Sequence, residues 1–299
     1  MTLDPILSGR RRSPPAGWEA HLLIAVFSDG RDPKWCKIQL FSGAARGGGW
    51  CVSAVEGMNG AAEELVLLGH GDRVERFARA PASGEPRRAA DRWELRTSNL
   101  LWRGAPPELK LAIAEPRIVA RTRTPHVVRW AALGDALSYA SAIGSVDWNG
   151  RSGVALVEHA WGAESPVDLS FFSPRRWQWD VLVTGEARAC AGLSLGAASF
   201  GVPAGGGLVG DGALRRGRGL VVRDVAWSRA GDRRVPERWS ATLRLEGGAM
   251  RYAARRTTPV AETFPKGGYL GFEWEGAWHP DDDAPRPMRG AGFGEYRAP

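Results

Sequence analysis

The sequence is poor in lysine, in cysteine and in long apolar runs, and each shortage narrows what the chain can be. Lysine occurs only at Lys34, Lys37, Lys110 and Lys266, so all but four of the 40 cationic residues are arginine. They lie among acids along the whole chain, as in Asp72-Arg73, Glu75-Arg76, Asp91-Arg92 and Asp232-Arg233. The net charge of +7 therefore reads as a mixed, solvated surface. The densest basic run, Arg10–Arg12 beside Pro14-Pro15, reads as an N-terminal tail. With no zinc-finger spacing, no RNA-binding aromatic motif and no basic helix, nucleic acid is not the expected partner.

The three cysteines, Cys36, Cys51 and Cys190, are far apart. An odd count without close pairs argues against a disulfide framework or a zinc site. No run of 18 apolar residues is present, so no transmembrane helix is expected. The first residues lack the apolar core of a secretory signal. A reducing, cytoplasmic setting fits these absences. There is no GxSxG elbow, no GxGxxG between a strand and a helix, and no phosphate loop. No cofactor is expected, and no His/Cys/Asp spacing marks a metal site.

What the chain has in quantity is glycine (39), proline (20) and tryptophan (14). Glycine and proline punctuate short apolar or alternating segments every 8–12 residues, the rhythm of β-sandwiches and antiparallel barrels. Residues 19–28 (EAHLLIAVFS) read as a buried strand ending at the Asp29-Gly30 turn. Residues 35–42 alternate, with Trp35, Lys37, Gln39 and Phe41 opposing Cys36, Ile38 and Leu40. In residues 108–115, Leu109, Leu111 and Ile113 share one face against Lys110. Residues 238–248 and 250–258 read as a hairpin around Gly247-Gly248. The one helix-friendly piece is 58–66; 81–91 reads as an exposed loop, and the Gly-rich 201–219 as turns between strands. The expected fold is all-β, of sandwiches or antiparallel barrels, in two domains, 1–165 and 166–299.

Within 152–162 (SGVALVEHAWG), Glu158 and His159 interrupt an apolar strand. Catalysis, a structural ion pair and an exposed strand end all fit. Strand alternation puts Val154, Leu156 and Glu158 on one face and Val157, His159 and Trp161 on the other. The two titratable groups therefore share a pocket only if a bulge intervenes. A carboxyl buried among Val and Leu has its charged form disfavoured, which suits a general acid. Trp177 and Trp179 share a face and form an apolar wall, for a flat ligand or simply for a core. Asp147, before Trp148-Asn149-Gly150, reads as a turn residue more than a catalyst. His21 and His126 each read as lone core histidines.

The order of motifs resembles the lipocalin-like carotenoid hydratase (hydroxyneurosporene synthase) family, with tocopherol cyclase and lipocalin-fold Diels–Alderases as more distant cousins. The matching residues are Gly153, Glu158 and Trp161, with His159 where some members carry His, followed by Trp177 and Trp179. Residues 29–35, 225–239, 268–278 and 290–297 match further segments in order. The hydratase motif carries Asp where this chain has Glu158. The resemblance implies two lipocalin-like units with an apolar cavity near their junction. It also implies cofactor-free hydration, cyclisation or isomerisation of a hydrophobic isoprenoid or polyketide-like substrate. Glu158 and His159 are then the catalytic candidates, and Trp161, Trp177, Trp179, Asp147, Glu295 and Tyr296 the substrate-binding ones. The alternatives are a non-catalytic carrier of a lipophilic molecule and a structural protein without a ligand. Peripheral membrane contact stays open, and oligomeric state is not legible.

Overall fold

Period-two burial is clearest in the segment Glu108–Ile113, where exposed and buried residues alternate without exception. Leu109, Leu111 and Ile113 point inward, as a half-buried strand requires. A computed structural model extends that pattern over most of the chain. It describes residues 18–43, 63–79, 87–88, 93–105, 107–132, 138–162, 177–184, 189–195, 202–210, 213–231, 233–257, 261–264, 269–280 and 288–297. Every regular element among them is a β-strand. No helix of the described residues is long and apolar enough to cross a membrane.

The first sheet contains β1 (Trp18–Val26), β2 (Trp35–Gly43), β3 (Glu63–Gly69), β4 (Val74–Arg79), β5 (Arg87–Arg88), β6 (Trp93–Arg96), β7 (Leu100–Ala105), β8 (Glu108–Ile113), β9 (Ile118–Ala132), β10 (Ser138–Trp148) and β11 (Arg151–Gly162). Their order is β4-β3-β2-β1-β11-β10-β9-β8-β7-β6-β5. Every neighbour is a sequence neighbour except at the centre, where β1 pairs antiparallel with β11. The sheet curls until its ends face each other. Across the seam, Glu64 of β3 accepts hydrogen bonds from Thr97 Oγ1 and, at 3.1 Å, from Asn99 Nδ2 beyond β6. Arg79 of β4 pairs with Glu115. One face of all the long strands thus converges on a single interior containing Leu23, Ile38, Val66, Trp93, Trp102, Leu111, Ala142 and Val157. Burial of this apolar surface is the main force holding the curl.

The second sheet contains β12 (Trp177–Thr184), β13 (Ala189–Leu195), β14 (Val202–Gly210), β15 (Ala213–Ala230), β16 (Arg233–Leu245), β17 (Gly248–Arg256), β18 (Ala261–Phe264), β19 (Tyr269–Pro280) and β20 (Met288–Arg297). It runs β17-β16-β15-β14-β13-β12-β20-β19-β18, and β17 also pairs with β19. That extra pairing closes β12–β17, β19 and β20 into a ring of antiparallel strands, which removes its free edges. The fold is all-β and lipocalin-like, with one curled sheet from each half of the chain. β20 approaches β1, and β14 packs beside β9.

The expected hairpin at Gly247-Gly248 is present as β16–β17. Three expectations need correction. The segment 58–66 is no helix where it is described: Glu63–Gly69 is a strand, its Leu65 and Leu67 buried, and 58–62 lie outside the described residues. The Gly-rich 201–219 is mostly strand, because its glycines pair in register across β13, β14 and β15. In 81–91 only Arg87–Arg88 is described, and it is strand. The domain boundary expected at 165 falls outside the described residues. The alternating β2 buries both faces, so Lys37 and Gln39 are as inaccessible as Ile38.

Candidate functional site

Glu19 and His21 stand two residues apart on β1, so both face the interior of the first sheet. His159 on β11 is the direct cross-strand partner of His21. Their imidazole rings stack with centroids 4.2 Å apart and planes 17° from parallel. Glu19 Oε2 lies 3.7 Å from His21 Nε2 and 3.9 Å from His159 Nε2. All three residues are at most 2% exposed. The edge of Trp93 meets His21 at 6.1 Å, and Trp93 in turn meets Trp102 at 5.1 Å. A carboxylate and two imidazoles therefore converge at one pole of an aromatic interior. Burying three such groups together is costly unless they serve one another or a ligand.

Further into the same interior, Trp102 Nε1, Thr122 Oγ1 and Thr124 Oγ1 are buried without a hydrogen-bond partner. Such orphans are uncommon in folded proteins. Cys36 also faces this interior, and burial pushes its thiol well above the ordinary range, so it is an inert packing group.

Glu158 points the other way. Ser141 Oγ donates to Glu158 Oε1 at 2.6 Å, and both residues are buried on the opposite face of the sheet, which also carries Gln39 and Lys37. The strand is regular across β1, β10 and β11 at this point, with no bulge at 158–159. The two neighbours expected to carry chemistry thus occupy two different environments.

At the far end of β11, Arg151 secures the β1–β2 turn. Its Nε donates to Asp29 Oδ2 at 2.7 Å, Nη1 to the Pro33 carbonyl at 2.7 Å and Nη2 to the Arg31 carbonyl at 2.6 Å. Its guanidinium also lies 4.2 Å over the Phe27 ring. The Arg151 guanidinium holds the Asp29 carboxyl far below the usual carboxylate range, and bonds from Arg31 assist. Gly153 sits under the same ring: a Cβ there would lie 2.6 Å from Phe27 Cδ1 and 2.7 Å from the Val26 carbonyl.

Asp147 is a turn residue, accepting from the Gly150 amide at 2.9 Å. It also borders a groove of about 950 Å³ lined by Arg103, Lys110, Arg121, Arg123 and Ser152, distinct from the His21–His159 pole. Trp161 occupies the β11 position opposite Glu19 on β1. In the second sheet, Trp179 is in register with Glu295, and Trp177 with Arg297. Tyr296 is in register with Gln178. His126 is half-buried on β9, away from the cluster.

Glu19, His21, Trp93 and Trp102 were not legible as site residues. The available signal was Glu19-x-His21 in an otherwise apolar strand, but its meaning depended on a partner far along the chain, on the strand that pairs with β1.

No protein-family model and no curated protein matches the sequence. Solved structures do match in fold. The AttH protein of Nitrosomonas europaea superimposes with a TM-score of 0.61 at 12% identity, covering 99% of each chain. Kievitone hydratase of Nectria haematococca gives 0.56 at 9% identity, covering 98% of this chain and 92% of its own. At these identities the likeness concerns the fold.

Proposed function

We propose that the chain is a hydratase-type enzyme that adds water to, or removes it from, a carbon–carbon double bond of an apolar substrate. An isoprenoid chain or a polyketide-like skeleton is the substrate class. The observation that carries this reading is the convergence of Glu19, His21 and His159, fully buried, against Trp93. Likeness of fold to a hydratase and the motif order around Gly153, Glu158 and Trp161 support it.

In the forward direction an imidazolium of the His21–His159 pair gives its proton to one alkene carbon. The neighbouring carbon becomes cationic, and the π-faces of Trp93 and Trp102 steady that charge. Water adds its oxygen to the cation and returns a proton to the imidazole, so the cluster ends as it began. Glu19 supplies the counter-charge and fixes ring orientation. The orphan Trp102 Nε1 and Thr122 Oγ1 offer hydrogen bonds to an oxygen on the substrate. Glu158 and Ser141, on the reverse face, support the strand that carries His159.

The test is a panel of lipophilic alkenes incubated with the protein and followed by mass spectrometry for gain of one water. Turnover by the parent chain and its loss in His159→Gln and Glu19→Gln, with ligand binding kept, is the expected result. Tryptophan quenching by the same compounds without any product from the parent chain would leave a carrier and end the enzymatic reading.

A further inference from the structure

We infer that Glu19, His21 and His159 also form a binding site for one divalent transition-metal ion of the zinc class, and that the bound ion switches the reaction off. The ligand atoms of the three side chains all lie within 4.8 Å of one another. Two imidazole nitrogens face the same carboxylate oxygen, at 3.7 and 3.9 Å. Metal–ligand bonds of about 2.0–2.2 Å require these atoms to draw inward and the two stacked rings to turn until their nitrogens converge on one point. The backbone is well placed for the task. β1 and β11 are paired neighbours at the centre of the first sheet, and the two histidines are in direct register.

The donor set selects the ion. Two imidazoles and one carboxylate suit Zn²⁺, Co²⁺ or Fe²⁺, with further coordination positions left for water. Calcium and magnesium prefer all-oxygen shells and are poorly served here. A second His–carboxylate pair gives an internal contrast: His70 Nε2 lies 3.6 Å from Glu75 Oε2 near the surface, but has only two donors. Among the described residues, the Glu19–His21–His159 group is where three such donors meet.

Metal binding takes up the imidazole lone pairs that proton transfer needs. The inhibitory half of the inference therefore rests on the proposed hydratase reaction, while the binding half does not.

The experiment is calorimetric titration of the metal-stripped full chain with Zn²⁺ alone, and the same titration with Co²⁺ read by its visible absorption. One ion per chain is expected. Glu19→Gln, which keeps shape and volume, and His159→Ala should each weaken binding about a hundredfold, while His70→Ala should leave it unchanged. Circular dichroism establishes that each variant is folded; if His159→Ala is not, Glu19→Gln carries the comparison. Absence of binding in the parent chain, or equal binding in folded Glu19→Gln, overturns the site. Once a substrate is known, stoichiometric Zn²⁺ should cut turnover at least about tenfold and a chelator should restore it; full activity with the ion bound overturns the inhibition. Zinc binding alongside no turnover of any alkene would instead overturn the hydratase reading and leave the metal site standing.

Discussion

Glu158 and His159 are adjacent in sequence and face opposite sides of one strand, Glu158 bonded to Ser141 at 2.6 Å and His159 stacked on His21 at 4.2 Å. Substitutions on the two sides should therefore fail differently. His159→Gln removes the proton carrier and should lower turnover by about 10²–10⁴-fold. Ser141→Ala leaves a buried carboxylate oxygen short of its donor, and should cost about 1–3 kcal/mol of stability while each folded molecule keeps its activity. Denaturant unfolding and kinetics measured on the same preparations separate the two outcomes.

The Arg151–Asp29 contact predicts an acid-sensitive turn. The carboxyl of Asp29 is held below its ordinary value of 3.8 in the folded chain. A depressed folded pKa means stability that is fully present above the unfolded value and lost as pH falls below it. Asp29→Asn should thus be less stable than the parent at pH 7, and the gap should narrow as pH falls below about 4. Arg151→Ala also strips two carbonyls of their donor and should cost about 2 kcal/mol or more at neutral pH. Thermal unfolding at a series of pH values checks both; parallel curves for Asp29→Asn and parent would contradict the assignment.

The sequence carried the fold further than the site. Alternation in residues 108–113 and the apolar run of β1 are local signals, and both survive intact in the structure. The face division of Glu158 and His159 was also legible, because strand alternation depends on nothing beyond the strand. Lys37 and Gln39 were not, since burial of the reverse face of β2 depends on what covers that face. The same holds for the cluster: His21 reads as a lone histidine until β1 and β11 pair, and that pairing joins the first and last strands of the first sheet. Glycine in 201–210 misled for a different reason. Its low strand propensity was outweighed there by pairing with neighbours on both sides.

Closure of the curled sheet should depend on Glu64. Its carboxylate takes bonds from Thr97 Oγ1 and Asn99 Nδ2 across the gap between the two ends of the sheet, and it is 3% exposed. Glu64→Ala removes the acceptor of the buried Thr97 hydroxyl and leaves Asn99 Nδ2 only the Glu115 carbonyl at 3.2 Å, and should cost about 1–3 kcal/mol. The loss should be local first. Amide exchange in β3 and β6–β7 should accelerate before that in β1 and β11, because seam strands open at lower free energy than central ones. Uniform acceleration through all strands would mean that the seam is not where the first sheet opens.

Gly153 belongs to the motif that also contains Glu158 and Trp161, and its place is explained by space alone. A methyl at this position would press on Phe27 Cδ1 and on the Val26 carbonyl, at 2.6 and 2.7 Å. Phe27 has little room to retreat, held between the Arg151 guanidinium at 4.2 Å and the edge of Trp148 at 6.1 Å. Gly153→Ala should therefore destabilise by about 1–3 kcal/mol, the usual range for overpacking. Gly71 provides the comparison, since nothing lies within 4 Å of a Cβ built there. Gly71→Ala should be neutral or stabilising by up to about 1 kcal/mol, through the less flexible unfolded chain. Denaturant midpoints at unchanged slope measure both. Because the clash is at the Arg151 end of β11, Gly153→Ala should also shift the Phe27 ring signals while leaving those of His21 and His159 in place. A motif glycine needed for chemistry at the histidine pole would do the reverse.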